Sequence, residues 1–198
     1  MFKGVAAILF AAFLAACSAD APVNEASWQL DGNASDITVI SVKNGNVVET
    51  SRFEALSGSV SESGEARLSI DAASFESYVD IRNERLRDIF FEVSAFPDIQ
   101  LTANLDPALF ANLAIGDNLD TELQLAVSLH GEVRTVYAPV RVIRNGADSV
   151  LVISSEAALI DARDFGLGDA VEALAGIAGL DGITPVFPVN VYLVFERG

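Results

Sequence analysis

Residues 121–130 read TELQLAVSLH, a stretch in which apolar and polar side chains largely alternate. Successive side chains of a β-strand point to opposite faces, so this pattern predicts a strand with one apolar and one wet face. A polar row is stable only toward water, and the opposite row is therefore predicted to face the protein interior. The inward row consists of Leu123, Leu125, Val127 and Leu129.

The same period of two recurs on both sides of this stretch, and turn signals separate the strands. The clearest further examples are EARLSID at 65–71, DIQLTANL at 98–105 and VNVYLVFE at 189–196. The turn signals are NGN at 44–46, SESGE at 61–65, HGE at 130–132 and NGAD at 145–148. Because strand follows strand through short links, the sheet is predicted to be antiparallel, and many evenly spaced strands favour a barrel or a sandwich.

Three short helices are predicted between the strands. The first spans Asn83 to Phe91, and the third spans 167–180. The second begins at Asp106-Pro107, with Asp as N-cap and Pro at the first helical position, and ends at Gly116. No repeat interrupts the pattern, so residues 27–198 are expected to form one domain.

The N-terminus predicts export and lipidation. Lys3 precedes an apolar run from Gly4 to Ala16, which is shorter than the roughly 20 residues of a transmembrane helix. Its end, Leu-Ala-Ala-Cys17, resembles a bacterial lipoprotein signal, which implies cleavage after residue 16 and a diacylglycerol on Cys17. The alternative is an ordinary signal peptide with an incidental cysteine. The polar residues 17–26 are then a tether.

The same resemblance indicates a location. Ser18 follows the cysteine where inner-membrane lipoproteins often carry Asp, so a lipid-anchored position in the bacterial cell envelope is expected, on the outer membrane facing the periplasm. Cys17 is the only cysteine, and the mature protein therefore has no disulfide.

Composition and motifs argue against several functions. The formal net charge of −16 disfavours nucleic acid and electrostatic adhesion to anionic lipid. No zinc-binding cluster, nucleotide-binding loop or nucleophile elbow is present in the sequence. His130 is the single histidine and has no evident orienting partner, and Asp161 with Asp164 is a pair expected in any acidic protein. We therefore expect no catalytic residue, no metal and no cofactor.

A barrel of about eight strands either fills its interior with side chains or encloses one ligand. The alternation of apolar and polar residues leaves both interpretations open, and a packed core is the default expectation.

Several blocks carry a family resemblance. They are RNERLRDIFFEVSAFPDIQLTA at 82–103, the strand-HG-turn-strand block from 127 to its closing Asp-Phe-Gly-Leu-Gly at 168, SRFEALSGSV at 51–60, and Trp28 with Leu30-Asp31. Along residues 27–198 these blocks occur in the family's order, and the chain resembles the YceI-like family of bacterial lipid- and polyisoprenoid-binding proteins. The resemblance implies an all-β fold: a lipocalin-like, extended antiparallel barrel of about eight strands with a few short helices.

The resemblance also implies a ligand, because characterised members of the family hold a long isoprenoid chain inside the barrel. Arg82, Arg85 and Arg87 are then candidates to face a polar or anionic head group at the mouth. Alternatively these arginines pair at the surface with Asp80, Glu84 or Asp88. The residues expected to line the tunnel are Leu68, Ile70, Phe90, Phe91, Phe96, Leu101, Leu123, Leu125, Val127, Leu129, Val191, Leu193 and Phe195.

Two functions remain open at this point. The first is a membrane-anchored barrel that binds or carries an isoprenoid lipid of the quinone or polyprenyl type. The second is a packed cell-envelope barrel that acts through protein contacts and holds no lipid. The expected partners are the lipid, the membrane through Cys17 and a second copy of the chain in a homodimer.

Overall fold

The computed structural model of the chain describes residues 26–198. The predicted signal peptide (1–16), Cys17 and all of the tether except Ala26 lie outside these residues. The strands are β1 Ala26–Leu30, β2 Asp36–Lys43, β3 Val47–Phe53, β4 Leu56–Ser61, β5 Glu65–Asp71, β6 Phe75–Glu76, β7 Asp98–Asn104, β8 Asn118–Leu129, β9 Glu132–Ile143, β10 Ser149–Ser154, β11 Ala158–Asp161 and β12 Val186–Arg197. The helices are α1 Asp80–Arg85, continued by a π-helical turn Leu86–Phe90, then α2 Pro107–Ala111 and α3 Gly168–Ala178, with short 3₁₀ turns at Ala72–Ser74 and Ala162–Phe165.

Eight strands close into an antiparallel barrel. Their order is β1-β4-β5-β7-β8-β9-β10-β12, and pairing of β12 with β1 closes the ring. Closure satisfies the backbone hydrogen-bonding groups that an open sheet would leave at its edges. The predicted all-β, antiparallel barrel of about eight strands is therefore confirmed.

The barrel is extended at one end because β12 changes partners along its length. Near its C-terminus β12 pairs with β1, and Phe195 lies opposite Leu30. Farther back it pairs with β2, and Val189 lies opposite Val39. Strands β3 and β6 continue the sheet beyond β2. Helix α3 packs against the π-helical turn at this end, so helices rather than strands form part of the wall there.

The predicted hairpin turns are present, and two of them have the backbone that their residues favour. Asn44 and Gly45 have φ of 49° and 72°, and His130 and Gly131 have φ of 52° and 79°. Two consecutive residues with positive φ are typical of the type I′ turn, whose twist matches that of antiparallel strands; the loop at 130–131 has two residues and the loop at 44–46 has three.

The three helices lie close to their predicted positions but with different bounds. Helix α1 begins at Asp80, three residues before the predicted Asn83, and its continuation to Phe90 is π-helical. Asp106 caps α2 as predicted, since its Oδ1 accepts from the Ala108 N–H at 2.9 Å, but the helix ends at Ala111 instead of Gly116. Helix α3 buries Val171 and Ala175 on the predicted face.

Candidate functional site

The barrel encloses a cavity of about 870 Å³. Pockets for small molecules usually measure about 300–1,000 Å³, so this cavity is near the upper end of that range. Strand β12 alone presents every second residue to it: Phe187, Val189, Val191, Leu193, Phe195 and Arg197. At roughly 3.3 Å per residue, the ten steps from Phe187 to Arg197 span about 33 Å along the strand, which is an upper limit for the length of the cavity because barrel strands tilt from the axis.

The inward side chains do not fill this interior. Leu68, Leu101 and Leu125 are on the inward faces of β5, β7 and β8, yet they are only partly buried. A leucine in a packed core is in contact on all sides, because protein interiors are as dense as organic crystals. The default expectation of a packed core is therefore wrong for this part of the barrel.

The structure brings most of the predicted tunnel residues to the cavity wall. Those that line it are Leu68, Ile70, Phe90, Phe91, Leu101, Leu123, Leu125, Val127, Leu129, Val191, Leu193 and Phe195. Phe96 is the exception. The loop turns back at Glu92, whose carbonyl accepts from the Phe96 N–H at 3.0 Å, and the ring then packs 4.4 Å from the His130 ring instead of entering the barrel.

Five phenylalanines form one section of the wall, which we call the aromatic wall. They are Phe53, Phe75, Phe90, Phe91 and Phe187. Their neighbouring ring centroids lie 5.0–6.1 Å apart, mostly edge to face, as aromatic pairs prefer. Sequence reasoning missed Phe53, Phe75 and Phe187, although Phe187 continues the inward row of β12 by two residues.

A further group of wall residues was also missed. It comes from strands whose alternation is weak in sequence, and its members are Ile37, Val39, Val136, Ala138, Val140, Val142, Val150 and Val152. All of them follow the period of two within β2, β9 and β10, so the pattern was available once the strand bounds were known.

The charged residues on the wall are mostly basic. They are Lys43, Arg67, Arg82, Arg85, Arg144 and Arg197 and, among acids of residues 26–198, Glu62 alone. The whole chain has 12 Lys and Arg against 28 Asp and Glu. The cavity therefore reverses the charge balance of the protein.

These charges lie toward the two ends of the cavity. We call one end the helix-side mouth, formed by Val79, Ile81, Arg82, Arg85, Ile177 and Ala178 with Lys43 of β2. We call the other the tether-side mouth, formed by Trp28, Glu62, Pro107, Phe110, Arg144 and Arg197. Ala26, the first described residue, pairs with Ser61 at this second end.

At the helix-side mouth one carboxylate holds two cations. Glu49 of β3 contacts Lys43 Nζ, and its Oε2 lies 2.5 Å from Arg82 Nη1. A hydrogen bond from Lys43 and the positive charge of Arg82 hold the pKa of Glu49 below its usual value, against the opposing effect of partial burial. Arg82 thus pairs with Glu49, and not with Asp80, Glu84 or Asp88 as the surface interpretation expected.

The other two arginines of the predicted head-group set differ from each other. Arg85 lines the cavity and has no carboxylate within ion-pair distance in residues 26–198. Arg87 does not line the cavity, and its Nη1 donates to the Ala73 carbonyl at 3.4 Å. The structure therefore places Arg82 and Arg85, but not Arg87, where they can meet a ligand.

The titratable residues considered for catalysis lie away from the cavity. His130 Nε2 is 2.7 Å from Glu92 Oε2 at the β8–β9 turn. Arg163 donates to the Asp161 carboxylate and lowers its pKa. Within residues 26–198 no group of three His, Cys, Asp or Glu side chains is arranged to hold a metal ion. Over the same residues no helix is long and apolar enough to cross a membrane.

Comparison with known proteins agrees with this geometry. The model of the YceI-like domain family matches residues 28–195. No curated protein matches the chain. A polyisoprenoid-binding domain from Saccharophagus degradans, implicated in plant cell wall breakdown, is 33% identical, with a TM-score of 0.85 over 88% of this chain and 100% of its own.

Two more distant structures share the fold. BcnA of Burkholderia cenocepacia is 20% identical, with a TM-score of 0.64 over 83% of this chain and 98% of its own. A YceI protein of Campylobacter jejuni is 14% identical, with a TM-score of 0.55 over 75% of this chain and 84% of its own.

Proposed function

The chain belongs to the YceI-like domain family, and from this premise we propose that its barrel binds or carries an isoprenoid lipid of the quinone or polyprenyl type. The observation that carries the proposal is the long cavity of about 870 Å³, whose wall is mostly aliphatic and aromatic. Such a wall offers few hydrogen-bonding partners to a sugar or a nucleotide, whose polar groups would be costly to desolvate. An unsubstituted or methyl-branched hydrocarbon chain carries no such cost.

Exchange with a membrane is energetically easy for such a ligand. An isoprenoid tail is about as apolar in a bilayer as in a dry protein tunnel, so transfer between them changes the hydrophobic free energy little. The protein then shields the tail from water while the lipid is outside the membrane. The relative from S. degradans, named as a polyisoprenoid-binding domain, supports the same ligand class.

Arg82 and Arg85 are proposed to hold the head group. Both line the cavity at the helix-side mouth, and Arg85 has no carboxylate partner in the described part of the chain. A guanidinium group donates to carbonyl oxygens and, more strongly, to phosphate oxygens. No catalytic step is part of the proposal, and the homodimer stays a prediction.

The proposal places the protein on the outer membrane, facing the periplasm, through a lipid on Cys17. Each buried CH₂ of an acyl chain contributes about 0.8 kcal/mol, so several chains anchor a protein firmly. Replacing Cys17→Ser in the full chain is expected to leave it unprocessed or released from the membrane. A membrane fraction and a mass that do not change with this substitution would argue against the anchor.

The ligand is tested by organic extraction of the purified full-length protein followed by mass spectrometry. We expect an isoprenoid lipid from the wild type and little or none from Leu125→Trp, because the larger side chain occupies the lumen. Gln124→Trp is the matched control: the neighbouring residue on β8 is exposed and lies on the outer face, so the lipid should be retained.

The same variants separate the proposal from the packed-barrel alternative. If the new side chain enters empty space, the free energy of unfolding of Leu125→Trp should lie within about 1 kcal/mol of the wild-type value. If it overpacks a filled core, that free energy should fall by roughly 1–3 kcal/mol. A wild type without isoprenoid lipid, together with a strongly destabilised Leu125→Trp, would refute lipid binding.

A further inference from the structure

The two mouths of the cavity differ in the side chains that are both exposed and part of the wall. At the helix-side mouth these are Val79, Ile81 and Ile177, with 39%, 52% and 47% of their surface exposed. At the tether-side mouth the exposed wall residues include Glu62, Pro107 and Arg197, and Leu109 and Ile115 are exposed nearby. The exposed wall residues named at the helix-side mouth are therefore all apolar, whereas those at the tether-side mouth are charged and apolar together.

The apolar rim continues onto the surrounding surface. Tyr78, two residues before the start of α1, is 65% exposed and has a positive φ of 61°, which an L-residue adopts only at a cost. Val47 and Val48 at the tip of the β2–β3 hairpin are also exposed. The hairpin tip adjoins the other rim elements, because Glu49 is bound to Arg82 of α1 and Asn44 Oδ1 accepts from the Asp181 N–H beyond α3.

Cations accompany this apolar surface. Lys43, Arg82 and Arg85 line the helix-side mouth, and Glu49 is the carboxylate that contacts the first two of them. Asp80 and Glu84 are exposed on α1 but do not line the opening. Apolar side chains with a tyrosine and basic residues at their edge suit contact with a bilayer. The apolar side chains enter the acyl region, and the basic side chains bind the lipid phosphates.

We propose that the helix-side mouth docks onto a phospholipid bilayer and is the portal through which the lipid ligand enters and leaves. The proposal rests on the proposed function for the identity of the ligand, but the docking itself needs only the bilayer. A docked portal joins the membrane interior to the apolar cavity, so the isoprenoid tail crosses without exposure to water. The head group is then left beside Arg82 and Arg85.

The length of the chain outside the structure is compatible with this orientation. The described chain begins at the opposite, tether-side mouth, and nine residue steps separate Cys17 from Ala26. These steps reach at most about 31 Å when extended, slightly less than the roughly 33 Å that Phe187 to Arg197 span along β12. A protein anchored at Cys17 therefore turns its helix-side mouth to the same bilayer only with the barrel axis tilted toward the membrane.

Tryptophan quenching tests which mouth docks. The full-length protein is reconstituted with phosphatidylcholine vesicles whose acyl chains are brominated, because bromine quenches only fluorophores that enter the bilayer. Trp28 is the sole tryptophan of the chain and reports on the tether-side mouth of the wild type. The double variant Trp28→Phe with Ile177→Trp reports on the helix-side mouth.

We expect at least twofold quenching of the tryptophan introduced at position 177 and little change for Trp28. Adding Ile81→Glu to the double variant should abolish this quenching, whereas adding Leu109→Glu, at an exposed residue near the other mouth, should not. Quenching of Trp28 alone, equal quenching of both reporters, or quenching of neither would overturn the proposal.

Lipid extraction of the same samples distinguishes the two proposals. Docking of a wild type that carries no isoprenoid would leave the portal assignment standing as a bilayer contact and refute the proposed function. A wild type that carries the lipid but shows no quenching at the helix-side mouth would refute the portal and leave lipid binding intact.

Discussion

Two regions of the same barrel wall pack differently: three rings of the aromatic wall are tightly packed, whereas Leu68, Leu101 and Leu125, which we call the aliphatic part, are not. Phe53, Phe75 and Phe91 are almost fully buried and touch one another edge to face. Leu68 and Leu125 face the same lumen and remain partly accessible. Whether a side chain faces the lumen and whether other side chains fill the space that it faces are therefore separate properties.

The difference has a structural cause. The π-helical turn Leu86–Phe90 and the residue after it bring Phe90 and Phe91 into the barrel, where they meet rings from β3, β6 and β12. In the aliphatic part the wall consists of strands, and Leu68, Leu101 and Leu125 border the cavity without being fully covered. The helical turn thus supplies a packed section of the wall that stabilises the fold, and the rest of the lumen stays open.

Truncation in the two regions should give the largest contrast. Phe91→Ala is expected to lower the free energy of unfolding by about 3–5 kcal/mol, because it opens a new cavity among packed rings. Leu125→Ala should cost less than about 1.5 kcal/mol, since that side chain already borders empty space. Urea unfolding of both variants in the absence of bound lipid measures the two values.

Phe91→Leu keeps the comparison measurable if Phe91→Ala does not fold, because a smaller loss of volume should cost less than the full truncation. A Leu125→Ala variant as destabilised as Phe91→Ala would mean that the aliphatic part packs like a core, and the distinction between the two regions would be lost.

The strand faces could be predicted from the sequence, but the filling of the barrel could not. Alternation is a local signal, and it correctly placed Leu123, Leu125 and Leu129 on the inner face. Whether these side chains contact others across the lumen depends on the diameter of the closed ring and on which side chains enter the barrel at its end. Those quantities follow from strand pairings far apart in sequence, such as Leu30 opposite Phe195.

The arginines show the same limit at the site. The cluster of Arg82, Arg85 and Arg87 is visible in the sequence, but its partner Glu49 is 33 positions from Arg82 and belongs to a different element. Arg87 lies in the π-helical turn after α1, and its guanidinium group donates to the Ala73 carbonyl instead of lining the cavity. Phe96 was misplaced for a similar reason, since the tight turn at Glu92 is set by a backbone hydrogen bond and not by hydrophobic pattern.

A smaller effect, on ligand affinity, is expected at the helix-side mouth, where Arg85 lines the cavity. Arg85→Gln is expected to weaken binding of a polyprenyl phosphate about fivefold, equivalent to about 1 kcal/mol, because one charge-assisted contact is lost. Binding of the uncharged polyprenol of equal chain length should not change. Fluorescence titration with both lipids measures the two affinities.

Arg87→Gln is the matched control, since Arg87 is close in sequence but does not line the cavity. Two results would mean that Arg85 does not bind the head group. One is an equal loss of affinity for the phosphate and the alcohol in Arg85→Gln, and the other is the same loss of affinity for the phosphate in Arg87→Gln.

The smallest expected effect concerns the ion pairs that connect α1 and β2 to β3 at this mouth. Lys43 and Arg82 hold the pKa of Glu49 below its ordinary value of 4.5, so folding favours the charged form. Its contribution is fully present above about pH 4.5 and is lost as the pH falls through the lower pKa of the folded state. The difference in unfolding free energy between wild type and Glu49→Gln should therefore be constant from pH 7 to 5, at no more than about 1 kcal/mol, and shrink below that range. Urea unfolding at each pH measures this difference.

Glu54→Gln is the control, because the pair that Glu54 forms with Arg52 is half exposed and outside the cavity. A difference for Glu49→Gln that grows on acidification would show that Glu49 does not stabilise the mouth through its charge.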